Sequence, residues 1–152
     1  MSELTTHKVA DITLTYHPIK PVTSQPKIVE ASKAATLFRE NWNDTLLIKE
    51  EFMIMLLNNG NRLLGIAQVS KGGVNGTFVD PKIIFCTALK ALASNIILAH
   101  NHPSGNLKPS KADIRLTRKL VEGGRLLDVA VVDHLIITED GHFSFAKDGL
   151  IP

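Results

Sequence analysis

Two histidines, His100 and His102, flank Asn101 at the end of an apolar run, and an acid, Asp113, follows eleven residues after the second. Side chains alternate along a strand with period two. If the extended backbone persists past Ala99, His100 and His102 share a face and Asn101 turns away. Two imidazoles on one face suit a single borderline metal ion such as zinc, with metal–nitrogen bonds of about 2.0–2.1 Å. Asp113 falls in the first turn of a helix that Ser110 opens. Pro103 and Gly105 supply the bends that return this helix to the strand end. His100, His102, Asp113 and one water would then complete a tetrahedral catalytic site.

Each piece also has a plainer reading. Two exposed loop histidines would look the same as a ligand pair. Ser110-x-x-Asp113 has the form of a capping box, and an acid is favourable at a helix N-terminus with no metal at all. Taken alone, Asp113 reads as a cap. The conjunction of two same-face histidines, a bent loop and an acid on the following helix favours the metal.

The elements that must position these residues follow from hydrophobic periodicity. Residues 9–16 read as a strand whose second half alternates Ile12, Leu14 and Tyr16 with polar residues, and Pro18, Pro21 and Pro26 make 17–27 an extended linker. Ala31 to Trp42 has helical spacing, with Trp42 as a core residue. Glu51 to Leu57 is nearly all apolar and suits a central strand. Asn58-Asn59-Gly60-Asn61 signals a hairpin into a second strand, Leu63 to Val69, and a loop follows from Ser70 to Gly76. Asp80-Pro81 starts a helix running to Leu92. Asn95 to Ala99 is a buried strand. The helix opened by Ser110 is expected to end at Gly123-Gly124. Val129 to Ile137 forms a strand broken by Asp133-His134, and His142 to Phe145 a last short strand. This order predicts an α/β fold, a mixed β-sheet flanked by helices.

Composition narrows the function classes. The chain has 152 residues, 17 Lys plus Arg against 15 Asp plus Glu, six histidines and one cysteine. That length suits one domain with a real core. Cys86 alone forms no internal disulfide and rules out zinc sites that need two thiolates. No apolar run reaches the ~18 residues of a spanning helix, and the N-terminus lacks signal-peptide form. The expected address is a reducing cytoplasm, with no membrane partner. A net charge of +2 argues nothing about nucleic acid by itself.

The string His100-Asn101-His102-Pro103-Ser104-Gly105, with Ser110 and Asp113, resembles the JAMM motif of the JAB/MPN metalloprotease superfamily. It looks most like the RadC-like branch, whose members are commonly labelled DNA repair proteins. Glu50-x-Phe52, Leu57-Asn58, Ser70-Lys71-Gly72, Val79-Asp80-Pro81, Ile96-Ile97-Leu98-Ala99 and Asp133-His134-Leu135 extend the resemblance over roughly residues 30–150. It implies a JAB/MPN, cytidine-deaminase-like architecture over 31–152, after an N-terminal strand and Pro-containing arm over 1–30. It implies one zinc ion on His100, His102 and Asp113. Ser110 would hydrogen-bond the oxyanion or position the water. Glu50 would be the general base by the family's E-x-F spacing, with Glu51 the competing assignment on the opposite strand face. The implied activity is metal-dependent hydrolysis of a peptide or isopeptide bond. The alternative is a DNA-repair-associated accessory protein whose metal is structural or residual. Full-length members carry a helix-hairpin-helix region before this domain, so the sequence resembles a short form without it.

Other candidates read as structural. His134 beside Asp133 is read first as a structural residue of its strand and second as a residue orienting a ligand, and Cys86 as a packed core thiol. His7, His17 and His142 lack partners at metal spacing. Lys108, Lys111, Arg115, Arg118, Lys119 and Arg125 form a basic stretch, ordinarily a solvated helix face, with no aromatic residues interleaved for base stacking.

Overall fold

Strand Glu51–Leu57 (β1) is buried at every position. Its unbroken apolar run demands cover on both faces of a sheet, and a computed structural model of the chain shows that cover. The structure describes residues 13, 15–42, 44–72 and 78–152. Helix Ala31–Asn41 (α1) precedes β1. Then come strand Leu63–Lys71 (β2), helix Pro81–Lys90 (α2), strand Asn95–Asn101 (β3), helix Lys111–Leu126 (α3) and strands Ala130–Ile137 (β4) and His142–Ser144 (β5).

The five strands lie in the order β2-β1-β3-β4-β5. Only β3 and β4 run parallel, joined through α3, and the other neighbours are antiparallel. The sheet is therefore mixed, as the interspersed pattern requires. Alternation along β1 sends Phe52, Ile54 and Leu56 to one face, against Ile84, Phe85 and Ala88 of α2 and Leu120 and Val121 of α3. Met53, Met55 and Leu57 face the other way, onto Ala34, Ala35 and Phe38 of α1 and onto Trp42. Two apolar layers thus enclose one sheet. The face shared with α2 and α3 also carries the chemistry.

Several sequence expectations are corrected. Of the strand expected over 9–16, residues 9–12 and 14 lie outside the described residues, and Thr13, Thr15 and Tyr16 are not in a strand. Within 17–27 a single 3-10 turn forms at Val22–Ser24. Ser70 and Lys71, expected in a loop, continue β2, while Gly73, Asn75 and Gly76 lie outside the described residues. His100 and Asn101 remain in β3, so the extended backbone does persist past Ala99. Cys86 is exposed, not packed. The buried stripe of α2 runs through Ile84, Phe85 and Ala88, and position 86 falls off it.

Gly123 and Gly124 do not end α3, which runs on to Leu126. They serve close packing instead. A Cβ on Gly123 would lie 3.0 Å from the Phe85 ring, and one on Gly124 would lie 2.2 Å from the Val129 carbonyl oxygen. Helix α3 can therefore press directly onto the start of β4. Gly124→Ala is expected to destabilise the fold by about 2–3 kcal/mol through overpacking against backbone. Gly65→Ala, where a Cβ meets nothing within 4 Å, should stay within about 0.5 kcal/mol. Urea unfolding of both variants checks the contrast.

Candidate metal centre

The register Phe52↔His100 between β1 and β3 sets the Phe52 ring against the His100 imidazole, with an interplanar angle of 1°. Past β3, a turn closes by a hydrogen bond from the Gly105 amide to the His102 carbonyl, with Pro103 inside it and Gly105 at φ 81°. Only glycine adopts that angle without strain. The turn brings back Ser110, the N-cap of α3. The Ser110 hydroxyl accepts from the Asp113 amide at 3.0 Å, and the Ser110 amide donates to Asp113 Oδ2 at 2.7 Å. The capping box therefore exists, and it aims the carboxylate. The cap and ligand readings of Asp113 are compatible, because its other oxygen, Oδ1, faces His100.

Three acceptor groups converge. His100 Nε2 and His102 Nε2 are 3.0 Å apart. Asp113 Oδ1 lies 3.5 Å from the first, and Oδ2 lies 3.9 Å from the second. Ligands bound at about 2.0–2.1 Å around a tetrahedral ion stand roughly 3.3 Å from one another. The observed separations bracket that value, and this trio is the metal-capable group found among the described residues. The His100 side chain is 5% exposed, that of His102 12% and that of Asp113 20%, so the centre opens to solvent on the carboxylate side.

Hydrogen bonding fixes what the nitrogens offer. His102 Nδ1 contacts the Asn106 carbonyl at 2.6 Å, and a carbonyl only accepts. Nδ1 therefore carries the proton, and in the neutral ring Nε2 presents a lone pair. Burial by itself would raise the Asp113 pKa. The hydrogen bond and charge of His100, with the hydrogen bonds from Ser110, outweigh it and hold the carboxyl well below the usual range. That lowering is the work of a protonated His100; with both rings neutral, the carboxylate and the two ring nitrogens can take a metal cation in that proton's place.

Two residues stand behind His100: His134, whose ligand-orienting reading the sequence ranks second, and Thr117, which the sequence reading missed. His134 Nε2 is 2.8 Å from His100 Nδ1, and Thr117 Oγ1 is 2.6 Å from His134 Nδ1. His134 pairs in register with Leu98, two residues before His100, so the two imidazoles are diagonal neighbours on parallel strands. The structural reading of His134 is thus incomplete, since it touches a candidate ligand. The available signal was a histidine inside an apolar strand, because a buried polar group needs partners. Thr117 lies one helical turn after Asp113.

The two glutamates have different surroundings. Glu51 is 1% exposed, and its carboxylate accepts from Thr45 Oγ1 at 2.8 Å and Gln68 Nε2 at 2.9 Å. Glu50 is half-buried just before β1, and its carbonyl accepts from the Gly72 amide. Asn101, turned away from the histidines, accepts from the Glu51 amide and donates to the carbonyls of Leu46 and Lys49. It pins the segment that carries Glu50. His17 is exposed and His142 half-buried, apart from the centre, while His7 lies outside the described residues. Among the described residues no helix is long and apolar enough to cross a membrane.

A mixed sheet with helices on both faces and a His-x-His pair facing a helix-borne aspartate defines a JAB-type α/β protein. The RadC-like JAB domain matches residues 28–150, and the chain belongs to that family. It is 44% identical over 124 residues to a UPF0758 protein of Flavobacterium johnsoniae, covering 82% of this chain and 53% of that protein. It is 45% identical over 108 residues to one of Porphyromonas gingivalis, covering 70% and 48% respectively. For one of Moorella thermoacetica the identity is 46% over 102 residues, covering 67% and 44%. The chain spans about half the length of these curated relatives.

Burial first, and repulsion by His100 second, hold His134 well below the ordinary histidine pKa of 6.5. The unfolded chain therefore binds a proton below pH 6.5 that the folded chain refuses. Stability should fall as pH drops below about 6.5, with a slope approaching 1.4 kcal/mol per pH unit. His134→Gln should flatten that component. Urea unfolding between pH 5 and 8 measures both.

Proposed function

We propose that this protein is a zinc-dependent hydrolase acting on a peptide or isopeptide bond. His100, His102 and Asp113 would hold one ion. The observation carrying this reading is the convergence of two ring nitrogens and an ionised carboxylate at tetrahedral ligand spacing. When bound, zinc supplies Lewis acidity, polarising a carbonyl and making water nucleophilic near neutral pH.

The chain's own residues carry the proton work. Alternation continued one residue back from β1 would turn Glu50 to the face of Phe52 and His100, whereas Glu51 has its carboxylate already paired with Thr45 and Gln68. Glu50 is therefore the proposed general base, taking a proton from water and returning it to the leaving amine. The Ser110 hydroxyl accepts from the Asp113 amide, which leaves its own proton to donate to a developing oxyanion. We assign the catalytic domain to 31–152 and residues 1–30 to an arm. The lone free thiol of Cys86 suits the proposed reducing, cytoplasmic location.

The test separates holding metal from using it. Purified protein should carry about one zinc per chain, and a His100→Ala/His102→Ala variant should carry none. Glu50→Gln should keep the zinc and lose about 10²–10⁴-fold in hydrolysis across a peptide and isopeptide panel. Hydrolysis that survives Glu50→Gln contradicts this assignment.

A second reading, association with DNA, draws on α3. Lys111, Arg115 and Arg118 are exposed at helical spacing beside the metal centre, with Lys108 and Lys119 exposed nearby. If this face binds phosphates, Lys111→Glu/Arg118→Glu should reduce the logarithmic salt slope of DNA binding by about 2. An unchanged slope removes the face from consideration.

A further inference from the structure

The neutral His100 ring can carry its proton on either nitrogen, and only one choice leaves a lone pair at the centre. In front of the ring two acceptors, His102 Nε2 at 3.0 Å and Asp113 Oδ1 at 3.5 Å, compete for that proton with a network behind it whose contact, at 2.8 Å, is the shortest of the three. The Thr117 hydroxyl donates to the Asp113 main-chain carbonyl at 2.7 Å, which uses its only proton. Toward His134 it can then only accept, so the contact of 2.6 Å requires the proton on His134 Nδ1. His134 is fully buried and packs on Phe145 at 4.5 Å between ring centroids, a setting that favours the neutral ring. Its Nε2 is then an acceptor, and the contact of 2.8 Å requires the proton on His100 Nδ1.

We propose that Thr117 and His134 are positioning residues that lock His100 in its Nδ1–H form, leaving Nε2 bare for a metal ion. The chain of bonds starts at the main chain of Asp113, whose side chain is itself a candidate ligand. One residue therefore offers an oxygen to the ion and, through its backbone, sets the tautomer of the first histidine. His102 is locked separately through Asn106. The metal-affinity part of this inference rests on the zinc reading above, whereas the tautomer part does not.

The experiment uses the full chain labelled with 15N, with zinc alone as the probe. In metal-free protein at pH 8, ring-nitrogen couplings should report His100 with its proton on Nδ1. Thr117→Val, which keeps the shape and removes the hydroxyl, should mix the two His100 tautomers. It should weaken zinc binding about 10–100-fold in competition with a chromogenic chelator. Thr117→Ser should restore both readouts to near wild type, a rescue that a purely packing role would not produce. Wild-type His100 protonated on Nε2 overturns the proposal without any variant, so a Thr117→Val protein that fails to fold does not shield it. Unchanged tautomer and affinity in a folded Thr117→Val protein also overturn it. If wild-type protein binds no zinc but shows the expected tautomer, the metal reading fails and the positioning chain stands.

Discussion

Three electron-pair donors crowd together where strand β3 meets helix α3. His100 Nε2, His102 Nε2 and the Asp113 carboxylate stand 3.0–3.9 Å apart in the contacts they make. The His102 proton is committed to Asn106, away from this cluster. Two ring nitrogens and a negative charge at such distances need a proton or a metal ion among them. The neighbouring structure follows from keeping this arrangement in place.

The sheet does most of that work through alternation. In β3, position 100 faces the α2–α3 side with Phe52 stacked against it, while position 101 faces the other way. Asn101 thereby fastens the 46–51 segment by three hydrogen bonds while its two neighbours belong to the His-Asp cluster. Helix α3 then has to begin close to the strand end. The Gly105 turn and the Ser110 capping box deliver its first turn there, and a cap of this kind contributes about 1 kcal/mol to the helix as well. Farther along, Gly124 lets the same helix lie on the start of β4. That contact accompanies the approach of Thr117 to His134.

Much of this was legible in the sequence because it depended on local pattern. The apolar run of β1, the Asn-Gly hairpin, the Pro-started α2 and the same-face histidines each follow from period, turn chemistry or capping. What escaped depended on tertiary contact. Gly123-Gly124 looks like a helix stop until the Phe85 ring and the Val129 carbonyl are seen pressing on it. Cys86 looks like core because its neighbours are apolar, yet one step of about 100° around α2 takes it into solvent. His134 and Thr117 lie 17 residues apart, and no spacing rule joins a strand to the helix before it. Glu50 and Glu51 differ by one step of a strand, which only the family's spacing separates in the sequence, and the Thr45 and Gln68 partners of Glu51 are tertiary contacts no local pattern shows.

The central claim is that this chain holds a metal through two imidazoles and a carboxylate. X-ray absorption at the zinc edge of the reconstituted full chain tests it most directly. The account predicts a four-coordinate first shell of nitrogen and oxygen at about 2.0–2.1 Å, with the outer-shell scattering of two imidazole rings. A sulfur shell near 2.3 Å, as binding at the exposed Cys86 would give, or a shell without imidazole, would contradict it.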